Sequence, residues 1–246
     1  MSPYENRLLI ENFRRIGLIS LVRPGCETSI AGVNCSPDAE ATARWSALGM
    51  QNVSIHLQVT GRATFLFLYM ELAGTDASAA AERVQKDPWF ERFSGLLQPH
   101  PRAETDCLWM SMELINVIGP NLPIPADPNQ LEQSGWVVQL DPASELNYRT
   151  LHQTNWPGVV DQMTRSNRRC WITFLIELDD DLWLFTYSEY VGQDRDADDA
   201  KVAEDPVTQR WWKHTQPCLI AATPEGAPWT EMSALFRQPA ESATNS

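Results

Sequence analysis

The 246 residues suffice for one large domain or two of about 100–150 residues, and a 43% hydrophobic content with ten tryptophans excludes general disorder. Thirty-two acidic against nineteen basic residues give a formal charge of −13, which repels phosphate backbones and anionic lipid, so neither nucleic acid nor a membrane surface is expected as a partner. No run approaches the roughly 20 apolar residues of a membrane span, and the amino terminus has no apolar stretch of the signal-peptide kind, so a cytoplasmic protein is expected. The five cysteines are odd in number and form no CxxC pair, which argues against a disulfide framework or a zinc ribbon.

In chain order, a strand is predicted over 18–22, closed by the turn residue Pro24. Helical chemistry then weakens at Gly32 and Pro37, so any helix here is short or broken. The β-rich runs 53–59 and 64–72 flank Gly61-Arg62 and predict a hairpin. Asp87-Pro88 is a helix start: the Asp side chain accepts from free N–H groups, and proline at the first helical position loses no hydrogen bond. A last strand is predicted within 109–118.

Prolines at 120, 123, 125 and 128 forbid a helix and favour an extended connector, assigned to 119–134. Beyond it the pattern recurs. Shifted by 118 residues, Gly17 meets Gly135, Pro24 meets Pro142, Leu66-Phe67 meets Leu184-Phe185, Tyr69 meets Tyr187, and Asp87-Pro88 meets Asp205-Pro206. Late in each half the offset becomes 120, with Trp109 matching Trp229 and Met112 matching Met232. The second half accordingly predicts a strand at 136–140 and a helix within 144–165 that buries Leu146, Val159, Val160 and Met163. A hairpin of 171–178 with 182–191 follows, then a helix after Asp205 and a strand at 229–236. The acidic runs 179–181 and 194–205 read as solvated faces.

Each half is thus a βαββαβ, ferredoxin-like α+β unit, 1–118 and 135–246. Such a unit has one open sheet face, and a homologous copy can cover it, which predicts a fused pseudo-dimer of the dimeric α+β barrel type. Pairing of such chains into a further homo-oligomer is compatible with this reading.

The halves differ where chemistry is expected. Tyr148, His152, Trp171, Trp211 and Trp212 stand where the first half has Ile30, Asn34, Val53, Phe93 and Ser94. On a helix Tyr148 and His152 share a face, and histidine transfers protons near neutral pH. Trp211 and Trp212 point in different directions, so one is expected to line a cavity; aromatic faces suit the C–H faces of a sugar. A core tryptophan beside a seam tryptophan is the plainer alternative. His56 is expected on the strand face opposite Val53, Ile55 and Leu57, and His100 in a Pro-His-Pro loop. His214 and Cys218 have i,i+4 metal spacing but lack a third ligand.

The string Tyr148-Arg-Thr-Leu-His152-Gln-Thr-Asn-Trp156-Pro157 resembles the Y-x3-H-x3-W-P segment of the L-rhamnose mutarotase family. Gln209-Arg210-Trp211-Trp212 resembles its QRWW motif, and Ala227-Pro228-Trp229 with Phe236 its C-terminal strand. The resemblance implies a dimeric α+β barrel that interconverts α and β anomers of a deoxy-sugar pyranose without cofactor or metal. It makes His152 the catalytic acid, with Tyr148, Trp211 and Trp212 contacting the monosaccharide. Trp171 departs from the pattern, standing where the family has a tyrosine. Two other functions stay open on this scaffold: a non-catalytic sugar-binding or regulatory protein, and a dimeric-barrel oxygenase or haem-binding protein.

Overall fold

In strands 13–22 and 132–140, most positions on both side-chain faces are buried, the pattern of a strand covered on both sides. In the computed structural model, which describes residues 13–73, 77–103, 106–223 and 228–238, each becomes an interior strand of its own sheet, paired on both sides. The amino-terminal residues before Phe13, and Ala227, lie outside the described residues.

The first half runs β1 (Phe13–Val22), α1 (Glu27–Ala31), α2 (Ala39–Ala47), β2 (Met50–Val59), β3 (Thr64–Ala73), α3 (Ala77–Lys86), α4 (Pro88–Glu91), β4 (Leu97–Gln98), β5 (Met110–Ser111) and β6 (Glu113–Ile118). The second runs β7 (Glu132–Leu140), α5 (Glu145–His152), α6 (Pro157–Arg165), β8 (Arg168–Leu178), β9 (Asp181–Tyr190), α7 (Arg195–Glu204), α8 (Pro206–Thr215), β10 (Leu219–Ile220), β11 (Thr230–Glu231) and β12 (Ser233–Arg237). Both Asp-Pro steps start helices as expected. Asp87 accepts from the Trp89 amide, and Asp205 accepts from the Thr208 amide.

Three expectations are corrected. The single helix over 144–165 is two, because Pro157 opens α6 as its first residue and Trp156 before it is extended. Leu146 is therefore not core; it is 79% exposed, while Val159 and Met163 are buried. The acidic run 194–205 is not merely a solvated face. It forms α7, capped by Asp194, and Asp198 is buried, accepting from Asn167, Tyr190 and Lys201.

Both sheets are antiparallel and curled. The first has the order β12-β2-β3-β1-β4, the second β10-β7-β9-β8-β6. The closing strands are exchanged: β6 of the first half pairs with β8, and β12 of the second pairs with β2. Each half therefore finishes the other half's sheet.

The sheets meet face to face through Ile19, Phe65, Phe67 and Tyr69 on one side and Val137, Phe174, Trp183, Phe185 and Tyr187 on the other. Each buried aromatic contributes about 1.5–3 kcal/mol in burial alone, so this seam binds the halves into one body. The 118-residue repeat reappears as a pseudo-twofold relation. Tyr69 stacks on its equivalent Tyr187 at 3.8 Å, Phe174 covers Gly17, and its equivalent His56 covers Gly135. A Cβ on Gly17 would stand 2.7 Å from Phe174, and one on Gly135 would stand 2.5 Å from His56. Only glycine lets the rings approach so closely.

A polar cluster crosses the same seam. Tyr69 donates to Glu71, Tyr187 donates to Glu189, and the Asn52 amide donates to both carboxylates. Burial and the neighbouring Glu189 raise the Glu71 pKa. His56 does lie on the strand face opposite Val53, Ile55 and Leu57, but its own face is the seam, so the ring is wholly buried.

Candidate active site

Strand alternation gives each sheet one face towards the seam and one towards its helices. In the first half the helix-facing positions are apolar, among them Leu18, Val53, Ile55, Leu68 and Met70. The equivalent residues of the second half are Trp136, Trp171, Thr173, Thr186 and Ser188. This surface is aromatic at one end and polar in the middle. Thr173 and Thr186 hydrogen-bond each other at 2.8 Å, and Trp136 Nε1 donates to Ser188 Oγ at 3.0 Å.

The helices above it follow the same contrast. In the first half Trp45, Trp89, Phe90, Phe93, Trp109 and Phe236 form one buried aromatic cluster, with Trp45 4.9 Å from Trp89 and 5.7 Å from Phe90. The second half has Met163, Thr208 and Trp211 where the first has Trp45, Phe90 and Phe93. Met163 and Thr208 are smaller than Trp45 and Phe90, and the second half holds a cavity of about 450 Å³, bounded by α5, α6, α7 and α8 and the helix-facing side of the second sheet.

All five residues singled out from the sequence line this cavity: Tyr148, His152, Trp171, Trp211 and Trp212. The Tyr148 and His152 rings are 4.1 Å apart, as i,i+4 neighbours on α5. Trp211 meets the His152 ring edge-on at 5.2 Å, and Trp171 lies between Trp136 and Trp229. Both tryptophans of the pair line the space, where one was expected. Trp156 packs on Trp211 at 5.3 Å and is absent from the cavity wall.

His152 Nδ1 lies 2.8 Å from the Tyr148 carbonyl oxygen. A carbonyl only accepts, so Nδ1 carries the hydrogen and Nε2 is the nitrogen with the lone pair. Burial lowers the imidazole pKa below its ordinary value, opposed by this hydrogen bond. The ring is thus neutral at neutral pH. Burial raises the Tyr148 pKa, which keeps its hydroxyl protonated.

Several lining residues were not singled out beforehand: Asn116, Ile118, Trp136, Gln162, Arg168 and Asp199. Arg168 pairs with Asp199 and sits 6.0 Å from the Trp171 ring centre. Asp199 belongs to the acidic run read as solvated, and nothing in its sequence surroundings separates it from its neighbours. Asn116 and Ile118 come from the first half through the exchanged β6. Of the remaining histidines, His100 is buried in its loop, with the Arg102 amide donating to its Nδ1. Cys218 contacts the His214 backbone carbonyl, and among the described residues no three His, Cys, Asp or Glu side chains gather as a metal set. Nor is any helix among them long and apolar enough to cross a membrane.

Comparison with known proteins separates fold from family. A crystal structure from Fusobacterium nucleatum, described as a candidate monooxygenase, superposes with a TM-score of 0.50 at 10% identity, covering 94% of this chain and 96% of that one. At that identity the likeness shows the shared fold alone. L-rhamnose mutarotase of Rhizobium etli is 28% identical over 109 residues, 44% of this chain and 97% of that protein. The Listeria monocytogenes L-rhamnose mutarotase is 28% identical over 98 residues, 40% of this chain and 88% of its own length. The family model for L-rhamnose mutarotase matches residues 133–238, so the similarity to that family lies in the second half of the chain.

Proposed function

We propose that the protein is a mutarotase-type enzyme that interconverts the α and β anomers of a deoxy-sugar pyranose of the L-rhamnose kind, with His152 as general acid/base. The observation that carries this reading is the meeting of a neutral histidine, its Nε2 unengaged, with Tyr148, Trp171, Trp211 and Trp212 around one cavity. Its volume of about 450 Å³ lies within the usual span of small-molecule sites, about 300–1,000 Å³.

The chemistry is within reach of these groups. Nε2 takes the proton of the anomeric hydroxyl as the C1–ring-oxygen bond breaks and a C1 carbonyl forms. The ring oxygen receives a proton from water or a neighbouring hydroxyl. Rotation about C1–C2 presents the other carbonyl face, and the reverse transfers close the ring. No net proton is consumed. The tryptophan walls suit the C–H faces of a pyranose, and Trp171 supplies an indole N–H where the family has a phenol.

Saturation-transfer NMR of anomer exchange tests the proposal directly, with L-rhamnose and L-fucose as substrates. Wild type accelerates exchange, and His152→Ala loses at least about a hundredfold of that acceleration, the usual contribution of a general acid/base. Exchange at the buffer rate for each sugar would refute the catalytic reading.

A further inference from the structure

Asn116 belongs to the half that lacks the family's motifs, yet it lines the cavity of the other half. Its place is fixed by register. On β6 Asn116 pairs with Thr173, and on β12 Phe236 pairs with Ile55, which is the equivalent of Thr173. Asn116 and Phe236 are thus pseudo-symmetric mates, each delivered into the opposite half. Phe236 packs on Trp45 and Trp89, both at 6.0 Å, and helps fill the first half. Asn116 adds a carboxamide to the second half instead.

Asn116 is 5% exposed, and its Oδ1 is buried with no hydrogen-bond partner. An acceptor so placed is costly unless a donor arrives. The neighbouring polar side chains are already engaged: Thr173 with Thr186, Trp136 with Ser188, and Asn155 with the Val117 carbonyl. None of them turns to Asn116.

We infer that Asn116 is a substrate-binding residue of the second-half cavity: its carboxamide, turned about χ2 to bring the amide oxygen to the cavity, accepts from a hydroxyl of the bound sugar, so the first half supplies a binding group to the site through strand exchange. This rests on the reading of the cavity as a monosaccharide site. The required ligand chemistry is a hydroxyl donor on a body small and apolar enough for the surrounding tryptophans.

The test uses the full chain, with binding and rate measured separately. L-Rhamnose and L-fucose are titrated by tryptophan fluorescence, and anomer exchange is followed by NMR. The proteins are wild type, Asn116→Leu, Asn116→Ala and Asn116→Asp, and thermal melts identify the folded variants. Loss of one neutral hydrogen bond predicts Kd and KM raised about tenfold in the Leu and Ala variants. The Asp variant, which keeps an acceptor, stays within about threefold. An affinity unchanged in a folded Leu or Ala variant overturns the inference. Wild type that binds sugar without accelerating exchange refutes the mutarotase reading, while the affinities still decide for or against Asn116. Wild type that binds neither sugar overturns both.

Discussion

His56→Phe isolates the acid sensitivity of the seam between the halves. His56 is wholly buried over Gly135, with Nε2 3.1 Å from Ser54 Oγ and Nδ1 unpartnered. Burial, helped by the positive charge of Arg237, pushes its pKa from 6.5 down to about 3. The unfolded chain therefore takes up a proton as pH falls through about 6.5, and the folded chain does not until about 3. This histidine's share of stability is full above 6.5 and is lost progressively below it, at about 1.4 kcal/mol per pH unit. At a pH of about 4.5 the loss is roughly 3 kcal/mol, a large fraction of a typical folding free energy. The equivalent contact already uses phenylalanine, Phe174 over Gly17, so the seam has a geometric precedent for the substitution. Urea unfolding at about pH 7.5 and about pH 4.5 measures the effect. Carboxylates titrate alike in both proteins, so the difference between the two pH-induced changes is the His56 contribution. His56→Phe should lose roughly 3 kcal/mol less than wild type over this interval. Equal losses would refute the claim that His56 is held neutral.

Two further outcomes follow from the same physical terms. Because burial lowers the His152 pKa, the protein-dependent part of anomer exchange should stay level as pH drops to 6.5 and fall only below it, as the imidazole gains its proton; a fall centred above 6.5 in an NMR pH series would contradict this. Asp198→Ala should cost about 2–4 kcal/mol in urea unfolding, since it leaves the Tyr190 hydroxyl and the Asn167 amide without their acceptor; a loss under about 0.5 kcal/mol would return the acidic run to a solvated surface.

Much of this was legible in the chain because it depended on local chemistry or on repetition. Asp87-Pro88 and Asp205-Pro206 start helices by capping alone, and the 118-residue offset survives as the pseudo-twofold relation of the seam. The helix break at Pro157 was also locally encoded, and the periodicity of 144–165 masked it. Strand exchange was not legible. Residues 113–118 have the same alternation whether they close their own sheet or the other, and only packing of the two halves decides. The unforeseen cavity residues share that cause: Asn116 arrives by exchange, while Arg168 and Asp199 become a pair only when α7 folds over β8. Polar residues on the helix-facing side of a strand were the available signal. Thr173, Thr186 and Ser188 stand against Ile55, Leu68 and Met70 in the other half.

Fusion explains why one half can be a filled core while the other stays open. In a symmetric homodimer with exchanged closing strands, one gene position supplies both strands, so a residue that opens one cavity opens the other. In the fused chain, Asn116 and Phe236 hold the same place but are encoded separately. Phe236 with Trp45, Trp89 and Phe90 gives the first half a dense aromatic core. Such a core contributes several kcal/mol more than a lined cavity would. The second half, anchored to it through the seam, tolerates a half-buried histidine, an unpartnered amide oxygen and empty space. The asymmetry reaches the seam as well, where Phe174 and His56 occupy equivalent positions with different chemistry. The duplication thus separates two demands that a single repeated subunit would have to meet with one set of residues.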